Sequence, residues 1–310
     1  MGQASRAQIR FASAEVRLRF LYAYRTLTIT RRTPTASSKP ANVANSYQLG
    51  IVDALWRFPV KSMRGEPLTE ALITERGVAG DRQWALRELR YGGVMSARSF
   101  PMLLAFKSWY GADPALDSDA PVLIELPDGN SVAADDPATA AILSALLKRE
   151  VRLERVRTMR PTQAEFEAIM RGEALPPSRD FFDEDVIHAV ATGTLAHLRN
   201  LQGGSADFDP RRFRANIFVD TGAAIPGFLE DQWLDGTLTI GDEVRIAGLR
   251  PAIRCAMTTH PQDELPHDPS ILRTAYQHHQ AYVGVFAAVA ATGTIRRGDP
   301  VWFNPMSVAS

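Results

Sequence analysis

Cys255 is the single cysteine of this 310-residue chain, and it stands in Arg254-Cys255-Ala256-Met257-Thr258-Thr259, directly after a run of apolar, strand-forming residues. A lone cysteine has no partner for an internal disulfide, so three uses are open to it: core packing, a reactive thiolate, or one soft ligand to a metal. Arg254 carries a permanent charge that favours a thiolate beside it, and Thr258 and Thr259 offer hydroxyls that can orient a polar ligand. Further cations and short polar residues sit at the ends of strand-like runs: Lys61-Ser62, Asp81-Arg82, Arg98 and the segment Arg212 to Asn216. Taken singly, such residues are usually solvated charges. They acquire chemical meaning only if the fold gathers them.

A second grouping follows closely behind Cys255. His260, His267, His278 and His279 are interleaved with Asp263, Glu264 and Asp268, a donor set that zinc or iron accepts. None of the pairs has helical i, i+4 spacing, His278 and His279 point to different helix faces, and Pro261 and Pro266 mark a turn-rich loop. Solvated loop histidines, at the rim of an entrance, are the simpler expectation. No phosphate-binding loop, dinucleotide glycine fingerprint, nucleophile-elbow serine or HExxH helix occurs.

The chain that must position these residues carries 35 basic and 35 acidic side chains and is 45% hydrophobic, which suits a folded core and supplies no net field for nucleic acid. Its longest apolar candidate, Val283 to Ala291, falls well short of the ~20 residues of a transmembrane helix. One cysteine also excludes a disulfide scaffold and an internally ligated iron–sulfur cluster. Residues 1–46 hold eight basic residues and one acidic residue, Glu15, among many Ser, Thr and Ala. That composition predicts a flexible basic extension, transit-like in being Arg-rich and acid-poor, or a misassigned start. The expected location is cytoplasmic for a bacterial protein, with an organelle left open by this segment.

From Gln48 onward, short apolar runs between turn residues predict strands at Leu49 to Phe58, Leu68 to Ile73, Gln83 to Leu86, Val122 to Leu126 and Val151 to Val156. Asp136-Pro137 predicts a helix start, with Ile142, Leu143, Leu146 and Leu147 on one face. Thr162 with Glu165 forms a capping box ahead of Phe166, Ile169 and Met170, and Gly172 to Arg179 predicts a loop between halves. A strand near Val186 to Ala191 and a helix from Thr194 to Leu201, stopped at Gly203-Gly204, open the second half. Thr237-Leu-Thr-Ile-Gly-Asp-Glu-Val and Thr294-Ile-Arg-Arg-Gly-Asp-Pro-Val echo one another as strand, Gly-Asp turn, strand. Repeated hairpins of this kind predict a closed or nearly closed barrel, with Asp268-Pro269 starting a helix between them. The expected fold is α+β and β-rich, in two intimately joined parts.

The ordered set of motifs resembles the MOSC family, named for the C-terminal domain of molybdenum cofactor sulfurase. Trp56-Arg-Phe-Pro-Val-Lys-Ser-Met63 and Gly77-Val-Ala-Gly-Asp-Arg-Gln-Trp84 look like its N-terminal β-barrel domain. Arg212-Phe-Arg-Ala-Asn-Ile217, Arg254-Cys255 with Thr258-Thr259, Val283-Gly-Val-Phe286 and Gly293-Thr-Ile-Arg-Arg-Gly-Asp-Pro-Val301 look like the MOSC domain itself. The resemblance implies an N-terminal β-barrel-like domain at 47–157, packed on a MOSC β-barrel domain with peripheral helices at 158–310. Within the family the chain resembles the mitochondrial amidoxime-reducing component and its bacterial relatives, which hold a pterin-bound molybdenum and reduce N-hydroxylated compounds.

By that resemblance Cys255 is the thiolate ligand to molybdenum, and Asp183 is an acidic residue near the metal that orients water or delivers a proton. Lys61, Ser62, Arg82, Arg214, Asn216 and Arg254 match cofactor-binding positions, and Phe286 matches a cofactor wall. Glu184 and Asp185 depart from the family, which usually has small or hydroxylated residues there, and Ile253 stands where a small polar residue is common. The implied cofactor is molybdenum–molybdopterin and the implied substrate a small N-hydroxylated or N-oxygenated compound. Electrons are expected from an external ferredoxin-, flavin- or cytochrome-type protein. A non-catalytic carrier of molybdenum cofactor or sulfur is the alternative.

Overall fold

The computed structural model describes residues 46–114, 119–155, 187–222 and 227–306. The Thr162–Glu165 capping box, the Gly172 to Arg179 loop and Asp183 to Asp185 lie outside these residues, as does the 157/158 division. The architecture is strand-rich α+β, built around a closed barrel with few helices.

The barrel joins seven strands: β1 (Tyr47–Arg57), β10 (Ile187–Ala191), β11 (Ile217–Asp220), β12 (Gly236–Ile240), β13 (Val244–Ile253), β14 (Tyr282–Ala291) and β16 (Pro300–Pro305). They run in the order β11-β10-β14-β13-β12-β16-β1, and β1 closes the ring on β11 through Ile51↔Asp220 to Leu55↔Ile217. Alternate residues explain the closure, because Ile187, Ala189 and Ala191 point inward with Ile217, Val219, Val285 and Ala287 to fill the barrel. The opposite face of β10 and β11 is also apolar and lies under two helices, α2 (Thr192–Leu201) and α3 (Ser270–His279), where Val190, Phe218, Leu195, Leu198 and Ile271 form a second layer. Asp268 starts α3 as expected, its Oδ1 accepting from the Ser270 N–H at 2.8 Å, and α2 ends at Gly203 (φ 91°) and Gly204 (φ 84°).

A further core is wrapped by small sheets between the barrel's first two strands in sequence. β5 (Trp84–Glu88) pairs with β9 (Val151–Arg155), while β6 (Lys107–Tyr110), β7 (Val122–Glu125) and β8 (Ser131–Ala133) form a meander. Phe106, Leu103, Leu86, Met63 and Ile124 are buried between them, with α1 (Thr139–Leu147) contributing Leu143. Asp136 accepts from the Ala138 N–H at 2.8 Å, so it turns the chain into α1, which begins at Thr139. Leu146 was expected on the packed face of this helix but is exposed; Ile142, Leu143 and Leu147 make the contact.

Two expectations need correction because strand partners are chosen at long range. Leu68 to Ile73 is not one strand: β2 (Glu66–Leu68) pairs with β1, whereas β3 (Glu70–Thr74) turns away to pair with β4 (Gly77–Val78) and β15 (Gly293–Arg296). The Gly-Asp echo is a hairpin only once. β12 and β13 pair across Gly241, but β15 goes to β3 while β16 goes to β12 and β1. Among the described residues no helix is long and apolar enough to cross a membrane.

Candidate functional site

β13 is the strand that delivers Cys255. Pro251 removes a ladder donor, and the β13–β14 register slips between Gly248 and Arg250 and again between Pro251 and Ile253, which breaks the regular ladder at the strand end. The chain is recaptured at Arg254, whose N–H donates to the Ala281 carbonyl at 2.7 Å, and Cys255 then opens a 3-10 turn over Ala256–Thr259. The Cys255 carbonyl accepts from both the N–H (3.1 Å) and the hydroxyl (3.0 Å) of Thr258. The Thr259 hydroxyl similarly donates to the Ala256 carbonyl. Both threonine hydroxyls were expected to orient a ligand, and both donate to backbone. The thiol has no part in holding the turn.

The rest of this loop is strapped down by Arg212. Its buried guanidinium donates to four carbonyls, those of Asp207 (3.1 Å), Thr258 (3.4 Å), His260 (3.3 Å) and Pro266 (2.9 Å). Burial lowers the pKa of this guanidinium from its ordinary value.

Cys255 opens onto a cavity of about 380 Å³ between the barrel and the small-sheet core. Lys61, Ser62, Arg82, Arg214, Arg254 and Phe286 all line it, so seven residues singled out by resemblance, including Cys255 itself, meet on one surface. With Arg98, Arg212 and Arg250 the walls carry seven cationic side chains, and no carboxylate is among the described lining residues. Converging cations over low-dielectric walls create a strong positive potential, the requirement for holding a phosphate or another anion. Asn216 does not line the cavity. It is fully buried behind the wall, where its Oδ1 accepts from the His188 N–H (3.2 Å) and Arg82 Nη1 (3.4 Å) while Nδ2 donates to the Trp56 carbonyl (3.3 Å).

The cations are positioned by their own backbones and by aromatic faces. Phe58 to Lys61 is zipped to Arg82 and Trp84 by three main-chain bonds: Arg82 N–H to Phe58 O (2.8 Å), Trp84 N–H to Pro59 O (3.0 Å) and Lys61 N–H to Trp84 O (2.7 Å). Phe58 has the guanidinium of Arg214 at 4.2 Å from its ring centre and that of Arg82 at 5.3 Å. Arg82 is paired with Asp81 and also donates to the Arg214 carbonyl at 3.3 Å, and Arg214 donates to the Met63 carbonyl at 2.5 Å. Ser62 (φ 68°), Arg82 (φ 50°) and Arg214 (φ 54°) each occupy the left-handed region, so three separate turns hold unfavourable conformations around one cavity. On the opposite wall Phe286 lies under Arg250 (4.7 Å) and Arg254 (5.5 Å).

His188 is a wall residue that the sequence reading did not single out. It is buried; Nε2 lies 3.0 Å from the Val283 carbonyl and Nδ1 lies 3.3 Å from Arg254 Nη1, which also donates to the Phe213 carbonyl at 2.9 Å. Those partners assign the neutral Nε2–H tautomer, and burial, reinforced by the Arg254 charge, holds its pKa well below the ordinary histidine value. The available signal was a lone polar residue in Ile187-His-Ala-Val-Ala191, whose odd-numbered members fill the barrel. The histidines after Cys255 behave differently. His260 and His267 stack at 6.2 Å, His279 stacks on Phe228 at 3.8 Å and reaches Asp231 at 2.9 Å, and no group of three metal-ligating side chains converges among the described residues.

The fold and site together define a β-barrel protein with a cysteine on the wall of a cationic cavity. The chain belongs to the MOSC family: residues 49–165 match the MOSC N-terminal beta barrel domain and residues 176–302 the MOSC domain. It is 25% identical over 313 residues to mitochondrial amidoxime reducing component 2 of Rattus norvegicus, covering 86% of each chain. To mitochondrial amidoxime-reducing component 1 of Homo sapiens it is 27% identical over 299 residues, covering 82% of this chain and 83% of that one. Among solved structures, the YuaD protein of Bacillus subtilis is similar with a TM-score of 0.45 at 10% identity, over 85% of this chain and 99% of that one.

Proposed function

We propose that the protein is a molybdenum-cofactor reductase of small N-hydroxylated or N-oxygenated compounds. The observation that carries this reading is the placement of Cys255 on the wall of a cavity lined by seven cations, in a chain of the MOSC family whose relatives are named for amidoxime reduction. The donor set fits the pterin cofactor: Lys61, Ser62, Arg82 and Arg214 suit its phosphate, Arg254 and Phe286 its ring system, and Cys255 offers the soft thiolate that a high-valent metal accepts. Bound there, the cofactor supplies a two-electron centre that accepts the oxygen of an N–O bond.

The side chains do the remaining work. Guanidiniums already tied to carbonyls and aromatic faces need little reorganisation to meet the anion, and Ile253 and Met257 offer apolar wall to the substrate. Reducing an amidoxime to an amidine and water consumes two electrons and two protons. His188, held neutral and engaged at both nitrogens, is a poor proton source; the resemblance assigns proton delivery to Asp183, the acidic residue it implies near the metal. With one cysteine the chain does not ligate a cluster, so the electrons come from a separate redox partner.

The decisive experiment supplies protein of measured molybdenum content with reduced viologen and benzamidoxime, and follows benzamidine. Turnover in wild type, and its loss in Cys255→Ala with an unchanged circular dichroism spectrum and melting temperature, is expected, because the Cys255 carbonyl rather than its thiol holds the local turn. Full molybdenum occupancy without turnover overturns the reductase reading and leaves a carrier role.

A further inference from the structure

The cations of the cavity differ in how they are held. Arg82, Arg212, Arg214 and Arg254 are each anchored to at least one backbone carbonyl and form the inner wall. Arg98 is different: it is exposed, it lines the same cavity, and its guanidinium makes no hydrogen bond or ion pair with any described residue. Its backbone is nevertheless fixed. Met95 and Ala97 are buried in the small-sheet core, the Arg98 N–H donates to the Ser96 hydroxyl at 3.2 Å, and the N–H groups of Ser99 (3.0 Å) and Phe100 (2.9 Å) donate to the Ser96 carbonyl. A tight turn rooted in a core therefore holds a solvated cation at the cavity's edge.

A second observation comes from the barrel side of the same cavity. Ile253 lines the cavity although it is 56% exposed, so this branched apolar side chain serves no core. Met257 beside it is only partly buried. An exposed apolar wall paired with an available guanidinium matches a ligand with an apolar body and an anionic group. We propose that Arg98 is a specificity-determining residue, selecting substrates that carry a carboxylate on an apolar body packed against Ile253 and Met257. This rests on reading the cavity as a reductase site.

The test uses cofactor-loaded wild type, Arg98→Ala and Arg98→Glu with two matched probes, benzamidoxime and para-carboxybenzamidoxime. Dissociation constants are measured by calorimetry without an electron donor, and kcat/KM with one, each normalised to molybdenum content. Wild type is expected to favour the carboxylated probe about tenfold, the scale of one charge-assisted contact, and less so as salt rises. The preference should fall to about unity in Arg98→Ala and reverse in Arg98→Glu. Equal binding of the two probes by wild type, an unchanged preference in Arg98→Ala, or loss of molybdenum from that variant overturns the inference. Absence of turnover with both probes removes the reductase reading instead, while the ratio of dissociation constants still decides the role of Arg98.

Discussion

Arg214 concentrates the residue-scale physics of the site. Its backbone sits at φ 54° and its guanidinium spans from the Met63 carbonyl to the face of Phe58, linking the barrel to the small-sheet core. A left-handed non-glycine residue costs about 1–2 kcal/mol, so the conformation persists because surrounding contacts impose it. Backbone and side chain can therefore be separated. Arg214→Ala and Arg214→Gly both remove the cation and are expected to lower pterin occupancy equally, measured by fluorescence of the released, oxidised pterin. Only the alanine keeps the strain, so chemical denaturation should find the glycine variant more stable by about 1 kcal/mol.

Among the elements, the β10–β14 pair carries a tight constraint next to the site. Gly284 has φ 82°, and a Cβ there would meet the Ala189 carbonyl oxygen and Val190 Cγ2 at 2.5 Å and His188 Nε2 at 2.7 Å. No rotamer relieves contact with a backbone oxygen, so the strands would have to separate or His188 would have to leave Val283 and Arg254. Gly284→Ala is expected to lose about 3 kcal/mol or more in urea unfolding, combining overpacking with left-handed strain. The same position explains how the barrel sets the site: close approach of two strands wedges a neutral histidine behind Arg254, the neighbour of Cys255.

At the scale of the whole molecule, two halves of the sequence are interlaced. β1 lies between β16 and β11 and closes a barrel whose other strands all follow residue 186, while β15 crosses back to β3. A chain of residues 158–310 alone leaves the β11 and β16 edges without their shared neighbour. It is expected to be unfolded or aggregated by circular dichroism and gel filtration, and to be recovered by co-expression with residues 1–157. Global stability should also depend on pH through Glu230, buried in the 3-10 turn Leu229–Asp235, from which it reaches the start of α2 and accepts from the Ala191 N–H (2.8 Å) and the Thr194 hydroxyl. Burial outweighs these bonds and pushes its pKa up to about 7 from 4.5. Between those values the unfolded chain releases a proton that the folded chain retains, so folding loses stability as pH rises through this window, on the order of 3 kcal/mol in all. Glu230→Gln should remove that decline, seen as a smaller fall in melting temperature between pH values of about 5 and 8 relative to wild type.

Residue chemistry and local turns were legible in the chain. Motifs around Lys61, Arg82, Arg214 and Cys255 identified side chains that do share a cavity, and Asp136, Gly203-Gly204 and Asp268 marked real helix boundaries, because capping and positive φ depend on a few neighbours. Which face of a strand a side chain takes, and which strand lies beside it, depends on pairings across the whole chain. That is why Asn216 proved to brace the wall from behind rather than line it, why His188 emerged as a wall residue, and why Leu68 to Ile73 divided between two sheets. By itself the sequence determined the chemical groups available and the family they belong to. Only the tertiary structure decided which of them meet around Cys255, because barrel closure brings residues nearly 200 positions apart into one wall.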